Sequence, residues 1–217
     1  MALLAIVGMG PGVSAAVARR FGREGFTIVA LARRADPLKV QTDALAAAGV
    51  KAHGFTADAA DSAGLAAALG RASGELGQID VLVYNAVGVH YKPLADLSGD
   101  ELAADLKVSV AGALSATQAV LPAMRSRGAG TILFTGGGFA FEPMPQLASV
   151  GAGKAGIRNL AFALFADLKE TGVHAATVTI GGVVKPGTHF DPELIAEAYW
   201  KLHAQPKGQF ERETIYK

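Results

Sequence analysis

The 217 residues are 51% apolar and 18% charged, with twenty basic groups against nineteen acidic ones, a net charge of +1 and no cysteine. A near-neutral balance gives no basic field for nucleic acid or an anionic membrane, and the missing cysteines exclude a disulfide framework. The longest apolar runs, such as LLAIV at 3–7, fall far short of the roughly 20 residues that cross a bilayer. Residues 1–217 are therefore expected to form a single α/β domain whose partner is a small molecule. With no basic leader or cleavage site at the N-terminus, the expected location is cytoplasmic.

Short β-rich runs alternate with helical periodicity along the chain. Strands are expected near 2–8, 26–32, 50–56, 79–85, 129–136 and 173–180. Between them apolar residues recur at three and four: Val13, Val17 and Phe21; Leu65 and Leu69; Leu102, Leu106, Leu114 and Leu121; Ile157, Leu160, Leu164 and Leu168. A loop rich in Gly and Pro follows at 181–187, then a helix over about 191–203, and QFERETIY alternates like an edge strand. Right-handed crossovers order such strands 3-2-1-4-5-6 in a doubly wound parallel sheet of Rossmann type, with a seventh strand at the edge. The order reverses between strands one and four, and a ligand crevice is expected at their carboxyl ends.

GMGPGVS, 8–14, follows the first strand and opens the first helix. Glycine lets the backbone approach a pyrophosphate, and the helix N-terminus offers unpaired N–H groups and a positive dipole end. A simple tight turn is the alternative, although one glycine would serve it. The G-x-G-x-x-G dinucleotide pattern fails at Val13. The spacing instead resembles the G-x-x-x-G-x-G of short-chain dehydrogenases/reductases, with Ser14 in place of the last glycine. Asp58 in TADAAD and Asn85 and Ala86 in YNAVG extend the resemblance over about 180 residues.

That resemblance implies a cofactor site made by Gly8, Gly10, Gly12, Val13, Ser14, Arg33, Arg34, Asp58, Asn85, Ala86, Lys154 and Val183. At the end of the second strand ALARRAD has Ala32 where NAD enzymes carry an acid, with Arg33 and Arg34 behind it. This favours NADP(H) over NAD(H). The reading as a merely solvated arginine pair stays open.

The family transfers hydride between nicotinamide and a carbonyl or alcohol, using Tyr-x-x-x-Lys, a serine and an asparagine. Here Lys154 fits the lysine, but Val150 stands at the tyrosine, Gly137 at the serine and Ser109 at the asparagine. Lys154 shares an otherwise apolar stripe with positions 150, 157, 161, 164 and 168. The family's lysine also holds the nicotinamide ribose, a role that survives loss of the tyrosine; the alternative is a lysine reaching out to solvent. Candidate replacement acids lie on loops at the same edge: His90, Tyr91, Glu142 and His189. The five histidines show neither i, i+4 pairing on a helix nor a cysteine partner, so no metal is expected.

Arg19, Arg20, Arg23 and Glu24 read as an exposed helix face, and Asp100 and Glu101 as dipole-matched residues of a first turn. Phe162, Phe165, Tyr199 and Trp200 read as an aromatic cluster of the core or a subunit contact. By resemblance, helices 100–127 and 147–171 would pair with their copies in a homodimer or homotetramer. The short tail after the sixth strand implies an open substrate pocket. The expected function is an NADP(H)-binding oxidoreductase with a degenerate active site and a carbonyl or alcohol substrate; the alternative is a non-catalytic NADP(H) sensor or scaffold.

Overall fold

The computed structural model describes residues 2–217. Seven strands, β1 (Leu3–Val7), β2 (Thr27–Ala32), β3 (Ala52–Thr56), β4 (Val81–Tyr84), β5 (Gly130–Gly137), β6 (Val173–Ile180) and β7 (Glu213–Tyr216), form one sheet in the order β3-β2-β1-β4-β5-β6-β7. Every pairing is parallel, β7 included. β1 is apolar throughout because both of its faces are covered. Leu4 and Ile6 face one layer of helices, α1 (Val13–Arg23), α2 (Ala35–Ala47) and α7 (Pro192–His203). Ala5 and Val7 face the other, α3 (Ser62–Leu76), α5 (Gly112–Arg127) and α6 (Ala148–Asp167).

α2 carries no clear periodic signal in the sequence, because only Leu38 and Leu45 along it are buried. The segment 209–216 is shorter as a strand than its alternation suggests, with pairing confined to Glu213–Tyr216. The 100–127 helix is interrupted: α4 (Gly99–Leu106) runs into a π-helical segment, Lys107–Ala111, before α5 begins. α4 starts on a capping box, with Ser98 accepting from the Glu101 N–H and Glu101 returning a bond to the Ser98 N–H. Its inward face is not the leucine stripe. Asp105, Ser109, Gly112, Ala113, Ala116 and Val120 are buried, while Leu114 is 39% exposed and Leu102, Leu106 and Leu121 are partly so. Small side chains permit the close helix packing that leucines at those positions would prevent.

Two surface expectations are corrected. Arg20 is not exposed: its side chain lies 4.5 Å over the Trp200 ring and pairs with Glu24 and Glu197 at 2.7 and 2.6 Å, while Arg19 reaches Glu193. The arginine face of α1 is a seam against α7. The expected aromatic cluster is also divided, because Phe162 packs in the layer of α5 and α6 under Arg158 and Arg212, whereas Tyr199 and Trp200 sit in the α1 and α7 layer.

At the amino-terminal edge of the sheet, His174 is buried with Nε2 on the Glu211 carbonyl, and His203 meets the Thr131 hydroxyl at 3.0 Å. Burial lowers the pKa of both below the usual 6.5. The folded protein therefore keeps these imidazoles neutral while the unfolded chain takes up protons from pH 6.5 downward, so stability falls with pH from that point until the folded groups also protonate. Thermal melts over a pH series should show the midpoint dropping below pH 6.5, with a shallower slope in His174→Gln.

Candidate functional site

The turn after β1 is clamped to the turn after β4. Gly8 has φ +86°, and a Cβ there would stand 2.5 Å from the Ala86 nitrogen, so only glycine lets the two turns touch. Ser14, buried at the start of α1, donates to the Gly8 carbonyl at 2.8 Å and accepts from Asn85 Nδ2, also at 2.8 Å. Two residues expected to contact a cofactor thus use their side chains to join the loops. Val13 likewise turns its side chain into the core. What this arrangement leaves toward the crevice is backbone. α1 begins at Gly12 with no side-chain cap and no acid in its first turn.

Gly10 and Gly12 differ from Gly8. A Cβ on either meets nothing within 4 Å, and neither has a positive φ. The chain's own packing gives no reason for glycine at these positions.

A cleft of about 780 Å³ opens beside the clamp. Gly8, Arg33, Arg34, Asp58, Asn85 and Ala86 line it, and Arg33, Arg34 and Asp58 are exposed. Gly10, Gly12, Val13, Ser14, Lys154 and Val183 are not among its walls, and Val183 is 83% exposed on the loop after β6. Two cations and one carboxylate line the cleft, and the uncapped start of α1, with its free N–H groups, lies outside the lining.

Lys154 is part-buried and donates to the Thr135 carbonyl at 2.7 Å. The β4–β5 ladder ends at the pair Tyr84 and Phe134, and the lysine takes the carbonyl one residue beyond it. Its aliphatic stem lies over Gly137, where a Cβ would be 3.4 Å away. Loss of solvation brings its pKa down to about 8. Val150 is buried one turn earlier. Ser109, in the π-helical segment, is buried, accepts from the Gly88 N–H at 3.0 Å and packs against Gly153.

Neither buried tyrosine offers a substitute for the phenol absent at 150. Tyr84 gives its hydroxyl to the Val108 carbonyl, and Tyr199 meets the Thr135 hydroxyl at 2.7 Å; burial pushes both phenols well above their ordinary value, with the Asp58 charge adding to the effect at Tyr84. Of the loop candidates, Tyr91 and Glu142 are exposed, and His189 stacks on Tyr216 and bonds the Lys217 carbonyl. His90 alone of the four lines the cleft, and it comes with a partner the sequence reading missed, Asp105. The available signal was an acid on the inward stripe of its helix, four residues before Ser109.

The sequence profile of the short chain dehydrogenase family matches residues 2–193. The chain belongs to that family, whose fold is the doubly wound sheet described above. It is 28% identical over 92% of its length to "Oxidoreductase asL5" of Sarocladium schorii, covering 78% of that protein. It is 29% identical over 94% of its length to the 2,3-dihydro-2,3-dihydroxybenzoate dehydrogenase of Bacillus subtilis strain 168, covering 74% of it. A crystal structure of a metagenomic short-chain oxidoreductase in complex with NADP superposes with a TM-score of 0.89 at 26% identity, over 99% of this chain and 96% of the other.

Amine-reactive labelling across a pH series should show Lys154 titrating near pH 8, below the ordinary lysine value of 10.5; a midpoint at the ordinary value would contradict its desolvated setting. Gly8→Ala should fail to fold or melt far lower than the wild type. Gly10→Ala should melt within a few degrees of it, since its methyl group meets open space.

Proposed function

We propose that residues 1–217 form one NADP(H)-binding unit with oxidoreductase activity on a carbonyl or alcohol substrate, and that its proton-transfer site departs from the family's. The observation that carries this reading is the pair Gly10 and Gly12: unhindered by the chain itself, at an uncapped helix start, beside a cleft of dinucleotide size. The NADP-bound relative with the same fold supports the choice of cofactor.

In this reading the N–H groups at the start of α1 hold the pyrophosphate. Arg33 and Arg34 hold the 2′-phosphate that distinguishes NADP(H) from NAD(H), and Asp58 meets the adenine. Lys154 exchanges the Thr135 carbonyl for the nicotinamide ribose hydroxyls, and Val183 covers the nicotinamide end. The bound dinucleotide supplies or accepts the hydride. With Val150 and Gly137 at the tyrosine and serine positions, the family's usual proton transfer is impaired on the order of 10²–10⁴-fold. The same two residues favour the second reading, an NADP(H) sensor or scaffold without turnover.

The half-exposed leucines of α4 and α5 support a homodimer or homotetramer. No described helix is long and apolar enough to cross a membrane, and a cytoplasmic location is proposed.

Calorimetry should show NADPH binding more tightly than NADH, with the preference reduced by at least tenfold in Arg33→Ala/Arg34→Ala. No binding of either nucleotide would defeat the reading. NADPH oxidation against a panel of ketones and quinones separates the enzyme from the sensor: turnover abolished by Lys154→Ala supports the first, and tight binding without turnover supports the second. In Val150→Tyr/Gly137→Ser, whose serine would sit in ordinary contact with the lysine stem, turnover of panel carbonyls should rise.

A further inference from the structure

Beside the cofactor cleft, His90 Nδ1 stands 3.0 Å from Asp105 Oδ2. Both atoms are buried and neither makes a hydrogen bond among the described residues, so the two face each other within ion-pair distance but without hydrogen-bond alignment. The Asp105 side chain is 6% exposed, and a carboxylate removed from water in this way is costly unless a proton or cation meets it. The imidazole is 36% exposed, so its outer edge is open to the cleft that both residues line.

The chain brings the pair together by several independent contacts. Gly88 lets the loop after β4 lie against α4, since a Cβ there would be 2.4 Å from the Asp105 Cα. The Ser109 hydroxyl holds the Gly88 N–H, and the Lys92 N–H bonds the Gln146 carbonyl at 3.1 Å. The His90 N–H reaches the hydroxyl of Ser149, the residue immediately before Val150. The loop that carries the imidazole is thus tied to the helix turn from which the family's phenol is missing.

The groups facing His90 are Asp105 and Glu101 of α4, with Lys92 on its own loop. Glu101 lies 4.0 Å from Nε2, outside hydrogen-bond reach, and its charge is already met by Lys92 at 2.6 Å. Nε2 therefore makes no hydrogen bond within the described residues, while Nδ1 faces a carboxylate at 3.0 Å. That is the arrangement of an imidazole oriented to exchange a proton at its outer nitrogen.

We propose that His90 is the proton donor and acceptor of this site, with Asp105 as its positioning residue. The inference rests on the cofactor reading above. In the reducing direction Nε2 gives its proton to the substrate oxygen as that oxygen takes the electron pair of the C=O bond. The carbon takes the hydride supplied by the reduced nicotinamide; the imidazole is left neutral, the dinucleotide leaves oxidised, and water returns the proton to Nε2.

The deciding measurement is NMR of histidine-labelled protein, with the His90 signal assigned by its loss in His90→Gln, titrated with NADP⁺ and with NADPH under conditions where calorimetry shows each bound. An imidazole beside the reacting ring feels the positive charge of its oxidised form. Its ring signals should differ between the NADP⁺ and NADPH complexes, with no such difference at His53 or His203. In Asp105→Asn the proton should no longer be fixed at Nδ1. Identical His90 ring signals in the two complexes would overturn the proposal and leave the cofactor reading standing; failure of both nucleotides to bind would overturn both. On carbonyls the wild type reduces, His90→Gln should lower kcat on the order of 10²–10⁴-fold with NADPH affinity unchanged, and an unchanged kcat would overturn the role.

Discussion

Contact between two turns, made possible by one missing side chain, organises the crevice. Gly8 lies against Ala86 at a distance no Cβ would permit, and Ser14 and Asn85 close the contact with two hydrogen bonds of 2.8 Å. The strand order reverses at this point, so the loops after β1 and β4 diverge to opposite sides. Clamped there, they hold Gly8 and Met9 on one wall and the segment 85–90 on the other. These polar side chains work within the protein, and the surface they leave for a ligand is backbone.

The interrupted helix of α4 and α5 performs the second task. Its buried stripe is small and polar, with Asp105, Ser109 and Gly112 where leucines would give more apolar burial. The π-helical segment supplies a carbonyl to Tyr84 and turns Ser109 toward Gly88 and Gly153. π-helical turns of this kind are frequent at functional sites because they re-aim side chains that a regular helix would misplace. The carboxylate of Asp105 is kept from water for the same geometric end. Hydrophobic burial is given up along this stripe, and a fixed loop beside the cleft is what results.

Lys154 sits under a related tension. Its stem packs over Gly137 and its amine takes a carbonyl beyond the end of the β4–β5 ladder, with no carboxylate against it. Desolvation without a counter-charge brings its pKa down to about 8. A purely structural core would place a hydrocarbon here, as it does at Val150 one turn earlier. In the proposed reading a ligand's hydroxyls complete its hydrogen bonds.

Most of the sheet was legible along the chain, because strands covered on both faces must be continuously apolar and right-handed crossovers leave one order for them. The positions of the glycine loop after β1, of the arginines after β2 and of Lys154 within α6 were legible for a similar reason, since each is a fixed offset from an element's end, whereas their roles toward a ligand are proposals. α2 was not, since two buried leucines seven residues apart make no period. The inward face of α4 and α5 was misread because leucines signal burial on average, whereas here close helix packing selected small residues instead. The division between Gly8, whose Cβ would meet the Ala86 backbone, and Gly10 and Gly12, whose Cβ atoms would meet open space, required knowing what stands opposite each Cα. The same holds for the pairing of His90 with Asp105, fifteen positions apart on a loop and a helix. Local chemistry and periodicity are written in the sequence itself, whereas the meeting of groups distant along the chain is decided only when the sheet and its helices bring their ends together.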